Sequence, residues 1–356
     1  MNLSLRRPLA AARLLLIGAA CLLPVAFSQA SREGAASGVK MCLNVLVPSL
    51  FPMMALTNLF VKSGLCMQIG SRLNRVTKTA FGLSGSFAPV ILMALLGGYP
   101  VGANGIASLL KQKAITEQEA KRAALFCVCA GPGFVISFVG TAVYENIAIG
   151  FILFTAQVMS VLLSGIITKV IDKEKLPIHS ESELNRLQLT FGDALVESVY
   201  EAGKGMAAIC AFVLLFSALT GILPQMIPDI RLQNAAYALL EVCTAVTKLS
   251  ADCPVTWVAF AVGFGGVCVH FQIFAALGKI PVNKWLFFLF RIIQGALTAG
   301  LTVLGLKLFP QETAVFSTAK TESTAFFGGS ALSCAVLVGV TVCFLVSVKQ
   351  HYHRIK

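Results

Sequence analysis

Charge is scarce in this 356-residue chain: Asp, Glu, Lys and Arg make up only 12% of it, 16 residues are acidic and 4 are histidine. Ordinary soluble domains, in which about a quarter of residues are charged, are excluded by that scarcity. Enzyme chemistry is also poorly supplied. There is no His pair with a carboxylate at zincin spacing, no Walker loop, no G-x-G-x-x-G loop after a strand, and too few acids for metal-dependent lipid chemistry. No catalytic residue, metal or cofactor is expected.

The chain does have 57% hydrophobic residues and a mean hydropathy of +0.82, so the solvent for most of it is lipid. A segment in lipid must satisfy its own backbone, which makes an all-α polytopic membrane protein the expected fold class. The eleven cysteines fall mostly within apolar runs and match no zinc spacing, and are read as packing residues. The net charge of +12 comes from small basic groups between apolar runs, not from one stripe with interleaved aromatics, so no nucleic-acid partner is expected.

A bilayer core needs about 20 apolar residues per helix. Runs of that length fall at 9–27, 39–61, 123–142, 147–168, 205–223, 254–276, 285–308 and 325–347, predicting about eight transmembrane helices. Two further stretches do not fit. Residues 84–110 hold two arms of about ten residues, broken at Gly97-Gly98-Tyr99-Pro100-Val101-Gly102-Ala103-Asn104-Gly105, and residues 232–248 are too short to cross and return. Both read as re-entrant hairpins, which survive where irregular backbone is buried in protein or faces a wet cavity.

With both termini cytoplasmic and both hairpins returning to their side of entry, most of the 28 Lys and Arg fall inside, including Arg6, Arg7, Lys62, Arg72, Lys121, Lys173 and Arg354. Arg6, Arg7, the following apolar run, Ser28 and Ala30 also resemble a cleaved signal peptide; a retained helix is the favoured reading. Five segments result: 1–38, an N-terminal helix and first external loop; 39–171, a first repeat with hairpin 84–110; 172–204, a cytoplasmic linker with an interfacial helix; 205–308, a second repeat with hairpin 232–253; and 309–356, a last helix and basic tail.

Internal similarity supports two repeats. Asn44–Leu65 resembles Glu201–Ile222, and FCVCAGPGFVI at 126–136 matches FAVGFGGVCVH at 260–270. The order span, hairpin, span, span occurs twice, the first copy beginning outside and the second inside. Inverted-topology repeats of this kind are common in secondary transporters, where substrate binds near the midplane at broken helices.

Candidate site residues are ranked by their cost in lipid. Glu241 stands first, as a proton carrier or as a hairpin-tip acceptor for a cation or a substrate hydroxyl. Arg291 could neutralise an anionic solute, pair with Glu241 or snorkel to the inner surface. His270 and Gln272 follow Gly265-Gly266; Tyr99, Asn104, Ser84 and Ser86 belong to the first hairpin. Free amides and half-helix N-termini at the hairpin tips would favour an anionic group.

Several stretches carry a family resemblance: Ser49-Leu50-Phe51-Pro52, Gly98-Tyr99-Pro100-Val101-Gly102-Ala103, Gly131-Pro132-Gly133-Phe134, Leu240-Glu241 with Thr244, and Gly263-Phe264-Gly265-Gly266 leading to His270-Phe271-Gln272. The chain resembles the YlbJ-type sporulation integral membrane proteins, with paired nucleoside-recognition (Gate) domains, over about Leu43 to Gly295. It departs from their pattern at Asn104, where Lys is frequent, and at Val128 and Cys129, where Asn is frequent. The resemblance implies a plan like concentrative nucleoside transporters, a bacterial cell membrane or outer forespore membrane, and movement of dipicolinate into the spore. The expected function is a transporter of a small polar or anionic solute, with a nucleoside transporter or a non-transporting sporulation scaffold as alternatives. The expected partners are the lipid bilayer, the solute, an unspecified coupling ion and, in a homo-oligomer, further copies of the chain.

Overall fold

The computed structural model describes residues 18, 22–63, 65–111, 113–171 and 190–310, and every regular element among them is a helix. The expected spans 9–27 (but for its last residues) and 325–347, the basic tail and linker residues 172–189 lie outside the described residues. Among the described residues, five stretches are long and apolar enough to cross a membrane: Ser28–Phe60, Ile147–Ile171, Phe191–Met226, Val255–Leu277 and Lys284–Leu308. Expected spans 39–61, 147–168, 205–223, 254–276 and 285–308 fall on them.

The chain first builds a long helical pair. Helix α1 (Ser28–Met41) passes through a π-helical turn (Cys42–Leu46) into α2 (Val47–Lys62). The wide turn lies immediately upstream of Pro48, and Pro52 lies within α2; prolines remove backbone donors and are a usual cause of such irregularity. The partner is α9 (Phe191–Thr220), capped by the Thr190 hydroxyl, which accepts from the Asp193 N–H. The two run antiparallel. At one end Lys62 Nζ lies 2.9 Å from Glu197 and 3.0 Å from Glu201; in the middle the Cys42 thiol donates to the Cys210 carbonyl. At the other end backbones touch: a Cβ on Gly34 would lie 2.3 Å from Ser217 O, and one on Gly221 would lie 2.7 Å from Ala30 O.

That pairing revises two expectations. Residues 28–38 are helix and not external loop, because Ala30, Gly34 and Gly38 present small residues at four-residue spacing to Ser217 and Gly221 on α9. The expected surface helix before residue 205 is the first part of α9, continuous with its apolar part and tied to α2 by Lys62.

Between these lie α3 (Leu65–Phe81) and a hairpin of α4 (Phe87–Gly97) and α5 (Tyr99–Lys111), whose arms pack on one another. Next comes α6 (Glu117–Phe126), started by a capping box in which Thr116 and Glu119 serve each other's backbone N–H. Residues 127–131 are non-helical, and α7 (Gly133–Val143) is wound as a π-helix. The expected span 123–142 is therefore two short helices with a gap. Helix α8 (Ile147–Ile171) closes this half.

The second half repeats the order. After α9 and a short α10 (Leu223–Met226), α11 (Ile230–Leu240) and α12 (Val242–Asp252) form the second hairpin, broken at Glu241. Then α13 (Val255–Phe264) and α14 (Gly266–Leu277) form another interrupted span, and α15 (Lys284–Leu308) matches α8 in length. Helices α8, α13 and α15 pack together as a block.

Candidate functional site

Four chain breaks meet: Gly98, residues 127–131, Glu241 and Gly265-Gly266. Gly98 (φ +90°) and Gly265 and Gly266 (φ +87° and +75°) take backbone conformations that side-chain-bearing residues rarely adopt, which ends one helix and starts the next within one or two residues. The breaks also touch. A Cβ on Gly131 would stand 3.3 Å from the Gly98 nitrogen, and one on Gly266 would stand 3.1 Å from the Leu240 carbonyl, so both hairpin tips lie against the interrupted spans. The Tyr99 hydroxyl joins the two halves, donating to Val262 O at 2.6 Å.

Each break exposes backbone groups that a continuous helix would pair, and in an apolar interior these need partners. For the carbonyl ends at α6 and α13 the partners are side chains. At α6, Arg291 donates to Leu125 O (2.5 Å) and Val128 O (3.2 Å), and Gln294 Nε2 donates to Val128 O (2.8 Å). At α13, Val262 O accepts from Tyr99 and from Gln157 Nε2 (3.3 Å), and His270 Nε2 meets Phe264 O at 2.9 Å. His270 is otherwise enclosed edge-on by Phe264, Phe287 and Phe288.

Of the N-terminal ends at the breaks, that of α12 recruits a carboxylate. Glu241, 1% exposed, accepts from the N–H groups of Cys243 (2.9 Å) and Thr244 (2.6 Å). Its carboxyl group thus sits at the positive end of the α12 dipole. The expectation of free amides at this hairpin tip is corrected, because the protein's own carboxylate takes the position foreseen for a solute anion. The N-termini of α7 and α14 carry no capping side chain, their N-cap residues being Pro132 and Gly265.

A cavity of about 30 Å³ lies where the breaks meet, lined by Gly98, Tyr99, Pro100, Gly131, Glu241, Cys243 and Gln272 together with apolar residues of α2 and α9. That is room for a few water molecules; small-molecule pockets usually measure about 300–1,000 Å³. The site is closed in this conformation.

Of the residues singled out from sequence, Gly98, Tyr99, Pro100, Gly131, Glu241 and Gln272 line the cavity. Thr244, Pro132, Gly265 and Gly266 form the adjoining helix ends. Asn104 is exposed on α5. His270 and Arg291 serve helix ends instead: Arg291 is 0% exposed, faces the Phe287 ring at 5.4 Å, and has no ion pair with Glu241 among the described residues. Reasoning from sequence missed Gln157 and Gln294. Both are completely buried, and each leaves its Oε1 without a hydrogen-bond partner among the described residues, which costs about 1–3 kcal/mol apiece. An amide in the middle of an apolar helix was the available signal.

No family model and no solved structure matches the chain. Among curated proteins, an integral membrane protein gives a match along nearly the whole length: the chain, an all-helical membrane protein by its own elements, is similar to the sporulation integral membrane protein YlbJ of Bacillus subtilis (strain 168), with 26% identity over 374 aligned positions covering 90% of each chain.

Proposed function

We propose that the protein transports a small polar or anionic solute by alternating access. The observation that carries this reading is the convergence of four helix breaks on one closed cavity that contains Glu241 and Gln272. Broken helices expose dipole ends and backbone groups at the centre of a membrane protein, the usual place for substrate in transporters built from repeats. In this reading about eight helices span the membrane, hairpins α4–α5 and α11–α12 are re-entrant from opposite faces, the halves are inverted, and both termini are cytoplasmic. The membrane is a bacterial cell membrane. Similarity to the sporulation integral membrane protein YlbJ supports a place in spore formation, and in this reading the membrane is the outer forespore membrane.

The cavity volume sets the first step of the cycle. A solute of drug-like size enters only after a hairpin moves away from the opposing broken span, so each hairpin in turn opens the site to one face. The uncapped end of α14 suits a solute carrying acceptor groups, such as the carboxylates of dipicolinate; at α7 the Phe134 and Val135 N–H groups already donate to Gly131 O. Glu241, already seated on α12, is placed to exchange a proton or cation, or to meet a hydroxyl. Its proximity to Gln272 favours a second reading, a nucleoside held by side-chain hydrogen bonds.

Counterflow in liposomes, comparing labelled dipicolinate with uridine across a pH step, tests the proposal. Saturable dipicolinate movement that Glu241→Gln abolishes supports the anion reading, and uridine movement moves the assignment to nucleosides. No movement of either by folded protein rejects both solutes and favours a scaffold.

A further inference from the structure

We propose that Gln157 and Gln294 are a matched pair of gate-positioning residues, each holding closed the broken span of the opposite half. The inference deepens the transporter reading and rests on it for its functional meaning.

The two glutamines are internal equivalents. Each stands ten residues after the start of a 25-residue helix, Gln157 in α8 and Gln294 in α15. Their targets are equivalent too: Val128 and Val262 are both the third residue of the matched segments 126–136 and 260–270. Gln157 Nε2 donates to Val262 O, and Gln294 Nε2 donates to Val128 O, so each half caps the break of the other. A contact fixed only by local packing has no reason to occur twice, crosswise, at corresponding positions.

Each carbonyl takes a second donor, and here the symmetry ends. Val262 O receives the neutral hydroxyl of Tyr99, itself on the lining of the cavity, whereas Val128 O receives the guanidinium of Arg291. Counted from its helix start, the residue of α8 corresponding to Arg291 is Phe154. The Val128 latch is charge-assisted and the stronger. Both amide oxygens remain bare in the closed state. Opening either break brings water or solute groups to them, so the closed state gives up hydrogen bonds that an open state regains.

Because the halves are inverted, releasing one latch opens the cavity to one face and releasing the other opens it to the opposite face. Cys243 lines the cavity and reports this directly. The test is alkylation of Cys243 by a membrane-impermeant maleimide, applied to sealed vesicles from either side and quantified by peptide mass spectrometry. Gln157→Ala and Gln294→Ala should each raise labelling severalfold, from opposite sides, with the larger rise for Gln157→Ala because its latch lacks Arg291. Gln157→Met and Gln294→Met keep much of the volume and lose the donor, and should behave as the alanine variants do. The double variant should lose the side preference. Equal labelling from both faces in each single variant, or no rise in any variant, overturns the proposal, because simple loosening of the fold would expose Cys243 without a side preference. Opposite-sided labelling in protein that moves neither dipicolinate nor uridine leaves the latches standing and rejects only the transporter reading.

Discussion

Gly34 lies against Ser217 so closely that a methyl group on it would fall 2.3 Å from the serine's carbonyl oxygen. Gly34→Ala should force α1 off α9 and cost about 1–3 kcal/mol, the usual range for overpacking. The same substitution at Gly203 on α9, where nothing lies within 4 Å, should be neutral or stabilise by up to about 1 kcal/mol through helix propensity. Thermal unfolding in detergent should separate the two in sign.

Arg291 spans two carbonyls of the α6 end, which a lysine ammonium cannot do with the same planar fork. Arg291→Lys should therefore lose one charge-assisted bond, about 1.5–3 kcal/mol. Arg291→Met should lose both bonds, leaving Val128 O to Gln294 and Leu125 O without its side-chain donor. Amide hydrogen exchange should rise first around residues 125–131 in both variants.

Glu241 combines a helix cap with a position on the cavity, and substitution can separate the roles. Glu241→Ala removes the cap and should lower stability by about 0.5–2 kcal/mol. Glu241→Asn should regain most of that stability without restoring solute movement. Flux in the asparagine variant equal to that of the unaltered protein would mean the carboxylate only caps α12.

The Lys62 pairs with Glu197 and Glu201 join α2 to α9 near the surface, with both acidic side chains half exposed. Each should contribute less than about 1 kcal/mol. Lys62→Ala should thus change the unfolding midpoint much less than Gly34→Ala does, and raised salt should shrink the Lys62→Ala effect further.

The sequence made some breaks visible and hid others. Gly98 stands out because its arms are too short to span, and Glu241 because a carboxylate interrupts an apolar stretch. The breaks at 127–131 and 265–266 lie in runs apolar enough to read as continuous spans, since hydropathy averages over side chains and is blind to backbone angle; Gly131-Pro132-Gly133 and Gly265-Gly266 were the available warnings. Residues 28–38 were misread for the opposite reason. Their small and polar side chains lower hydropathy, yet Ala30, Gly34 and Gly38 are what allow close contact with α9. Arg291 and His270 were weighed against a solute, whereas the nearest demand comes from carbonyls freed by the hidden breaks. Side chains that serve broken backbone become predictable only once the breaks themselves are located.

The small cavity also has an electrical consequence. A chamber of about 30 Å³ holds far too little water to bridge by itself a bilayer core about 30 Å thick. In the transporter reading, the site in this conformation therefore offers protons and hydrated ions no conducting file of its own, as an energised membrane requires of a resident transporter at rest.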